Sequence, residues 1–167
     1  MITTHETKIT KAPSGSKLIV TRSFDAPLEW VWKAWTESSS LDNWWAPRPW
    51  KTETISMEFK EGGQWLYSMN GPEGERIWCK VDFRAIVPQK KLSVISVFCD
   101  EHGNTIADAP RMNWLTEFRS EDTGTAISVE ITFDNEADLE KIVAGGFKEG
   151  FTMALANLDE FLGQTQL

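Results

Sequence analysis

The order in which the spacing of apolar residues changes along the chain is the strongest constraint on its fold. Lys17–Phe24 alternates apolar and polar residues as a strand does, and two short segments with helical spacing follow it. Residues 52–133 return to a spacing of two, with turn sequences between the segments, which predicts about six further strands. Residues 137–162 then resume helical spacing. The predicted order is one strand, two short helices, about six strands and one long helix.

These elements predict an α+β fold, in which a curved antiparallel sheet of about six or seven strands wraps around the long C-terminal helix. An antiparallel sheet with one apolar face must bury that face, and the helix can cover it. A strongly curved sheet leaves a space between itself and a single helix. That space is the expected ligand site.

The chain is long enough for one domain with a substantial core, because its 167 residues lie within the usual domain range. Residues 1–16 are polar and aperiodic and predict a flexible tail, residues 17–163 form the domain, and residues 164–167 are a short C-terminal tail. No apolar run reaches the ~20 residues of a membrane-spanning helix, and the N-terminus lacks the apolar core of a signal peptide. We therefore expect a cytoplasmic protein without a membrane span.

Charge and reactive-residue content argue against several classes of function. The net charge of −8 repels a phosphate backbone, so we expect no nucleic-acid partner. Two cysteines and two histidines, His5 and His102, are too few for a disulfide scaffold or a zinc site, and we expect no metal and no cofactor. The sequence contains neither a serine elbow nor a glycine-rich phosphate loop. No catalytic set can be assigned, which favours a protein that is not an enzyme.

Nine tryptophans and nine phenylalanines, beside a single tyrosine, give the chain a large aromatic area. Such rigid side chains can fill a core or line a cavity for an apolar ligand, and both interpretations remain open. The candidate ligand-binding residues share an orientation toward the expected space: Trp65, Tyr67, Met69, Ser96, Phe98, Trp114, Thr116 and Phe118 on strands, and Phe147, Phe151 and Leu155 on the helix. Ser96 and Thr116 are the candidate polar groups that orient a ligand. The alternative, which we favour, is that both face solvent or bond locally.

A second aromatic group follows the two short helices and lies beside prolines. It comprises Trp44, Trp45, Arg48 and Trp50. One interpretation is a lid at the cavity mouth, with Arg48 as the cation for an acidic head group. The alternative, which we favour, is a local cluster in which the aromatic side chains pack on one another.

Cys79 and Cys99 fall on adjacent predicted strands. With the hairpin tip at Gln89 and Lys90, residues whose numbers sum to about 179 face each other, so the two thiols are expected to lie nearly opposite. A redox pair is one interpretation. We expect instead two reduced, half-buried thiols and no disulfide, as is usual in the cytosol.

Six short motifs, in this order, resemble those of one known superfamily. They occur at 21–27 (TRSFDAP), 31–36 (VWKAWT), 41–47 (LDNWWAP), 62–65 (GGQW), 86–88 (IVP, with Leu92 after it) and 146–151 (GFKEGF). The chain resembles the SRPBCC (START-like, polyketide cyclase/pollen-allergen-like) superfamily, in the branch similar to the C-terminal domain of the heat-shock-protein ATPase activator. The resemblance covers about residues 17–163 and implies a helix-grip fold with a cavity between sheet and helix. Phe147 replaces a usual Trp, and Val81 replaces a frequent Gly and can narrow the cavity.

The resemblance implies functions of three kinds. The first is binding of a small, mainly hydrophobic ligand in the cavity. The second is a co-chaperone-like interaction with a chaperone through an exposed surface. The third is a cyclase or hydrolase type of reaction in the same cavity, with Tyr67 or Glu117 assisting. The expected partner is a small hydrophobic molecule, and a monomer and a homodimer both remain open.

Overall fold

A computed structural model describes residues 6–164, which form eight strands and four helices. In chain order these are β1 (Lys8–Lys11), β2 (Lys17–Phe24), α1 (Leu28–Thr36), α2 (Ser38–Trp44), β3 (Lys51–Met57), β4 (Gln64–Asn70), β5 (Arg76–Val87), β6 (Lys91–Cys99), β7 (Met112–Glu121), β8 (Gly124–Phe133), α3 (Glu136–Ala144) and α4 (Phe147–Gln164). All eight strands belong to one antiparallel sheet with the order β1-β2-β8-β7-β6-β5-β4-β3. The α+β helix-grip prediction is confirmed, with slightly more strands than expected.

The additional strand lies in the segment that was predicted to be a flexible tail. Lys8–Lys11 pairs with β2 at the edge of the sheet, with Ile9 opposite Val20. The sequence did not predict this strand, because Ile9 is its one apolar residue. In the structure Ile9 packs against the core. Residues 1–5 and 165–167, the ends of the two predicted tails, lie outside the described residues.

The predicted long C-terminal helix is in fact two helices. Asn135 caps α3, because its side-chain oxygen accepts a hydrogen bond from the backbone N–H of Asp138 at 2.8 Å. The helix ends at Gly145, and Gly146 has a φ of 95°, which a residue with a side chain rarely adopts. The chain therefore turns here before α4 begins, and this turn brings two glycines to the rim of the cavity.

The core is formed between the concave face of the sheet and helices α1, α2 and α4. From α4 it receives Ala154, Leu155 and Leu158, all nearly inaccessible to solvent. From α2 it receives Trp44, whose Nε1 donates to the carbonyl of Ala34 at 2.9 Å. Burial of these side chains provides the main driving force that holds the helices on the sheet. None of the described helices is both long and apolar enough to cross a membrane.

A bulge in β5 changes the pairing of the two cysteines. Val87 pairs with Lys91 next to the hairpin tip, but the register shifts by one between Phe83 and Ala85. Beyond the bulge, Cys79 pairs with Phe98 and Trp78 pairs with Cys99. The thiols are one position out of register and, since strand residues alternate, point to opposite faces of the sheet. Both cysteines are buried and free.

Candidate functional site

An apolar cavity of about 580 Å³ lies between the sheet and the helices. Strands β4 to β7 form its floor, and the start of α4 covers it. The turn between α3 and α4 and the irregular segment 106–110 form its rim. Its volume lies within the range of small-molecule sites, which is roughly 300–1,000 Å³.

Seven of the eleven predicted ligand-binding residues line this cavity, together with one residue of the predicted mouth. They are Tyr67, Met69, Ser96, Phe98, Trp114, Phe147 and Phe151, and the mouth residue is Trp45. The alternation of β4, β6 and β7 thus placed the expected faces toward the expected space. Whether these residues bind a ligand stays a prediction.

Four predicted residues lie elsewhere. Trp65 and Thr116 line a smaller space of about 40 Å³, which we call the inner chamber. It shares part of its wall with the cavity. Phe118 packs edge-on against Trp32 and belongs to the core, as does the fully buried Leu155. Neither Phe118 nor Leu155 is among the described residues that line the cavity.

The predicted mouth group is mostly not at the mouth. Trp44 is a core residue, and Arg48 forms an exposed ion pair with Glu160 on α4. Trp50 is half-buried beside Gly71. Of these four residues, only Trp45 lines the cavity. It also packs edge-on against Trp44. Of the four residues, Trp44 and Trp45 pack on one another as the alternative of a local aromatic cluster describes, whereas Arg48 and Trp50 make other contacts.

Aromatic contacts connect α4 to the floor of the cavity. Phe147 stacks on Phe151, with ring centroids 5.5 Å apart. Phe151 meets Trp114 of β7 edge-to-face at 5.3 Å. Trp45 contacts both Trp114 and Phe151 with centroid distances of 5.7 Å and 6.2 Å. The cavity wall is therefore a continuous aromatic surface whose parts hold each other in place.

A buried hydrogen-bond network occupies one side of the cavity. Trp45 Nε1 donates to the Tyr67 hydroxyl at 2.9 Å, and this hydroxyl interacts with the Cys79 thiol on the neighbouring strand. Trp65 stacks on Tyr67 at 4.0 Å, and its own Nε1 donates to Thr54 Oγ1 at 3.0 Å. The only phenol of the chain is thus satisfied by protein groups and does not need a ligand as its partner.

Burial makes both groups of this network poor acids. It raises the pKa of Tyr67 well above its usual value, and the nearby Cys79 adds to this, whereas the Trp45 hydrogen bond opposes it. Burial likewise raises the pKa of Cys79 to about 12, although the Tyr67 hydrogen bond opposes the shift. At neutral pH both groups are protonated, so neither serves as a base or a nucleophile.

These shifts predict that the protein loses stability in mild alkali. An unfolded Cys thiol has a pKa of about 8.5. In the folded protein the pKa of Cys79 is raised to about 12. The contribution of the protonated thiol to the free energy of unfolding is therefore complete below pH 8.5 and is lost as the pH rises toward 12. Between these two pKa values, one such thiol lowers the free energy of unfolding by about 1.4 kcal/mol per pH unit. Urea unfolding of the wild type and of Cys79→Ala at pH 7, 9 and 10 measures this loss, and the free energy of unfolding should decrease less steeply with pH in the variant. Equal slopes would contradict the shift.

The rim contributes residues that the sequence patterns did not identify. Ile77 and Ile106 are 38% and 49% exposed at the mouth, where apolar side chains meet solvent. Asp108 and Lys141 are the charged residues of the described lining. Ile106 and Asp108 lie in an irregular segment without periodicity, and Lys141 lies on α3.

The opposite side of the sheet carries a larger groove. It lies beside β1 and is lined by exposed charges of both signs, including Lys8, Glu117, Arg119 and Glu121. An apolar ligand bound here would take hydration from these charged side chains, which costs free energy. Within residues 6–164, no group of three or more His, Cys, Asp or Glu side chains is placed to hold a metal ion.

Comparisons with solved structures show the same fold in bacterial proteins. Protein Ms6760 from Mycobacterium smegmatis is 24% identical, with a TM-score of 0.87, and the match covers 96% of this chain and 98% of that chain. A protein from Arthrobacter aurescens is 25% identical, with a TM-score of 0.88 and coverage of 94% and 91%. Protein NE0264 from Nitrosomonas europaea is 22% identical, with a TM-score of 0.80 and coverage of 92% and 97%.

No curated protein matches the sequence. A family model does match, over residues 25–163, and its description is "Activator of Hsp90 ATPase homolog 1-like protein". This range contains most of the chain, from three residues before α1 to the last turn of α4. The match agrees with the resemblance carried by the six sequence motifs. The chain therefore belongs to the family of Activator of Hsp90 ATPase homolog 1-like proteins.

Proposed function

We propose that this chain is a cytoplasmic protein that binds a small, mainly apolar molecule in the cavity between the sheet and α4. The observation that carries the proposal is the cavity itself. It has about 580 Å³ of space, an aromatic wall and charges only at its rim among the described lining residues. Apolar surface of this kind gains free energy when a ligand displaces water from it.

The exposed apolar side chains at the rim support the same proposal. Ile77 and Ile106 remain partly in solvent beside the mouth. Apolar residues grouped around an opening are typical of a binding site. They would extend the apolar contact beyond the cavity when a ligand is bound.

Binding of N-phenyl-1-naphthylamine, a neutral fluorescent probe, tests the proposal. We expect saturable binding of one probe per chain. Phe98→Ala should raise the Kd about fivefold, because it removes part of the apolar wall. Ile55→Ala, a truncation at a 47% exposed residue of β3 outside the described lining, is the matched control and should leave the Kd unchanged. Linear, non-saturating fluorescence, or equal effects of the two variants, would contradict the proposal.

The description of the family favours a second candidate, an interaction with a chaperone of the Hsp90 type. Such an interaction uses an exposed surface and does not require an open cavity. A pull-down with purified chaperone therefore separates the candidates. If wild type and Phe98→Ala are captured equally while probe binding differs, the surface function exists beside the cavity function. If no chaperone is captured, the second candidate is removed.

A further inference from the structure

The floor of the cavity carries a hydroxyl that the protein leaves without a partner. Ser96 of β6 lines the cavity and is only 8% exposed. No described residue forms a hydrogen bond with its side chain. The sequence favoured a Ser96 that faces solvent or bonds locally, and the structure shows neither. Because buried hydroxyls are normally paired, an unpaired one in a cavity wall indicates a partner from outside the chain.

The pairing of β6 explains why this hydroxyl has no partner in the protein. Ser96 lies between Val81 of β5 and Met112 of β7, its direct neighbours in the sheet. Neither side chain has a group that forms strong hydrogen bonds. Along β6 itself, the neighbours on the same face are Val94 and Phe98, which are also apolar. The sheet therefore surrounds the Ser96 hydroxyl with apolar side chains.

The oxygen of Ser96 retains a surface that a small molecule can reach. Within residues 6–164, four unpartnered polar side-chain atoms are completely enclosed, and Ser96 Oγ is not one of them. The spaces that Ser96 borders are the cavity and the inner chamber. Since no hydrogen bond holds the hydroxyl, it can turn toward an atom on either side.

Ser96 lies inside the cavity and not at its mouth. The carbonyl of Phe98 accepts a hydrogen bond from the backbone N–H of Ile106 at 3.2 Å, so Phe98 lies next to the rim. Ser96 is two residues further from the rim on the same face of β6, a distance of about 7 Å. A molecule that reaches Ser96 has therefore passed the rim and placed its body among the aromatic side chains of the wall.

The ligand group beside Ser96 should be uncharged. The charged residues of the described cavity lining, Asp108 and Lys141, lie at the rim, and none of the described residues around the inner chamber is charged. A carboxylate or an ammonium beside Ser96 would lose its hydration without gaining a counter-ion. A carbonyl or hydroxyl oxygen loses much less, and a serine hydroxyl can donate to either.

We propose that Ser96 forms a direct hydrogen bond with an uncharged oxygen of the ligand, a carbonyl or a hydroxyl, inside the cavity. This inference rests on the proposed function, because the ligand's apolar body must occupy the cavity. It adds a chemical class, since the ligand becomes an apolar molecule with a neutral oxygen at its buried end. An alanine would fit the same position without an unpaired polar group, so the hydroxyl gains its stabilising partner only with the ligand.

Two probes of nearly the same shape test this hydrogen bond. 2-Acetylnaphthalene carries a carbonyl, and 2-isopropenylnaphthalene has a methylene in place of the oxygen. Displacement of N-phenyl-1-naphthylamine measures both affinities. Ser96→Ala should weaken binding of the ketone about fivefold and that of the alkene less than twofold. Ser93→Ala, on the opposite face of the same strand, is the matched control and should change neither affinity.

Three further readouts distinguish this hydrogen bond from a structural role of Ser96. Without ligand, Ser96→Ala should have the Tm of the wild type or a higher one, because it removes an unpaired polar group from apolar surroundings. With ketone labelled with ¹³C at its carbonyl, the infrared carbonyl stretch should lie at a lower wavenumber in the wild type than in Ser96→Ala. A crystal structure of the ketone complex should place the oxygen within hydrogen-bond distance of Ser96 Oγ.

The contrary results separate this inference from the proposed function. If both probes bind saturably but Ser96→Ala affects them equally, or the carbonyl stretch does not differ, the hydrogen bond is wrong and the cavity function stands. A ketone oxygen far from Ser96 in the crystal, or a lower Tm for Ser96→Ala, overturns the inference in the same way. If neither probe binds saturably, the proposed function fails, and this inference fails with it.

Discussion

Gly150→Phe should abolish most ligand binding while leaving the protein folded. Gly150 lies on α4 and lines the cavity, and a Cβ built there meets only Pro47 Cγ, at 3.7 Å. A phenyl group at this position therefore occupies space that a ligand needs. We expect the Kd of N-phenyl-1-naphthylamine to rise at least thirtyfold, which corresponds to about 2 kcal/mol.

The same substitution should not lower the stability of the fold. Glycine inside a helix is less favourable than phenylalanine by a few tenths of a kcal/mol, so the Tm should stay constant or rise slightly. Gly163→Phe is the matched control, because it lies near the end of the same helix and a Cβ there meets nothing within 4 Å. The control should bind the probe like wild type. Normal binding by Gly150→Phe would place the ligand outside the cavity.

The second large effect concerns the turn before β4. A Cβ on Gly63 would overlap the backbone carbonyl oxygen of Glu58, and Gly63 also accepts a hydrogen bond from the N–H of Phe83 at 3.0 Å. Neither backbone can move without breaking the pairing beside it. Gly63→Ala should therefore cost about 3 kcal/mol of unfolding free energy, at the upper end of the usual range for overpacking.

Gly62→Ala provides the contrast at the neighbouring position. Gly62 has a φ of 86°, but a Cβ there meets nothing within 4 Å. Its substitution should cost only about 1 kcal/mol, the usual strain of a left-handed conformation. Urea unfolding of both variants measures the difference. Equal losses of unfolding free energy would show that Gly63 does not lie too close to the Glu58 carbonyl to accept a side chain.

The sequence predicted the sheet well because its signals are local. Alternation along β4, β6 and β7 determines which side chains share a face, and Tyr67, Ser96 and Trp114 all line the cavity. The break of the C-terminal helix was missed because Gly145 and Gly146 interrupt a pattern that remains apolar on one side. The edge strand β1 was missed because pairing with β2, rather than its own composition, holds it in place.

The site was predicted only in part, since its boundaries depend on distant packing. Trp44 and Trp45 are adjacent in sequence and equally aromatic, yet one fills the core and the other faces the cavity. Their different roles follow from how α2 lies on the sheet. The rim segment 106–110 has no periodicity that a sequence pattern can detect. The unpaired hydroxyl of Ser96 is likewise visible only when all its neighbours are placed.

Native mass spectrometry shows whether the cavity binds a small apolar molecule. The protein is purified gently, incubated with a total apolar metabolite extract, and measured under native and then denaturing conditions. We expect a single small-molecule adduct on the wild type that disappears on denaturation and is absent from Gly150→Phe. An unmodified mass for the wild type after incubation, or an equal adduct on Gly150→Phe, would contradict it.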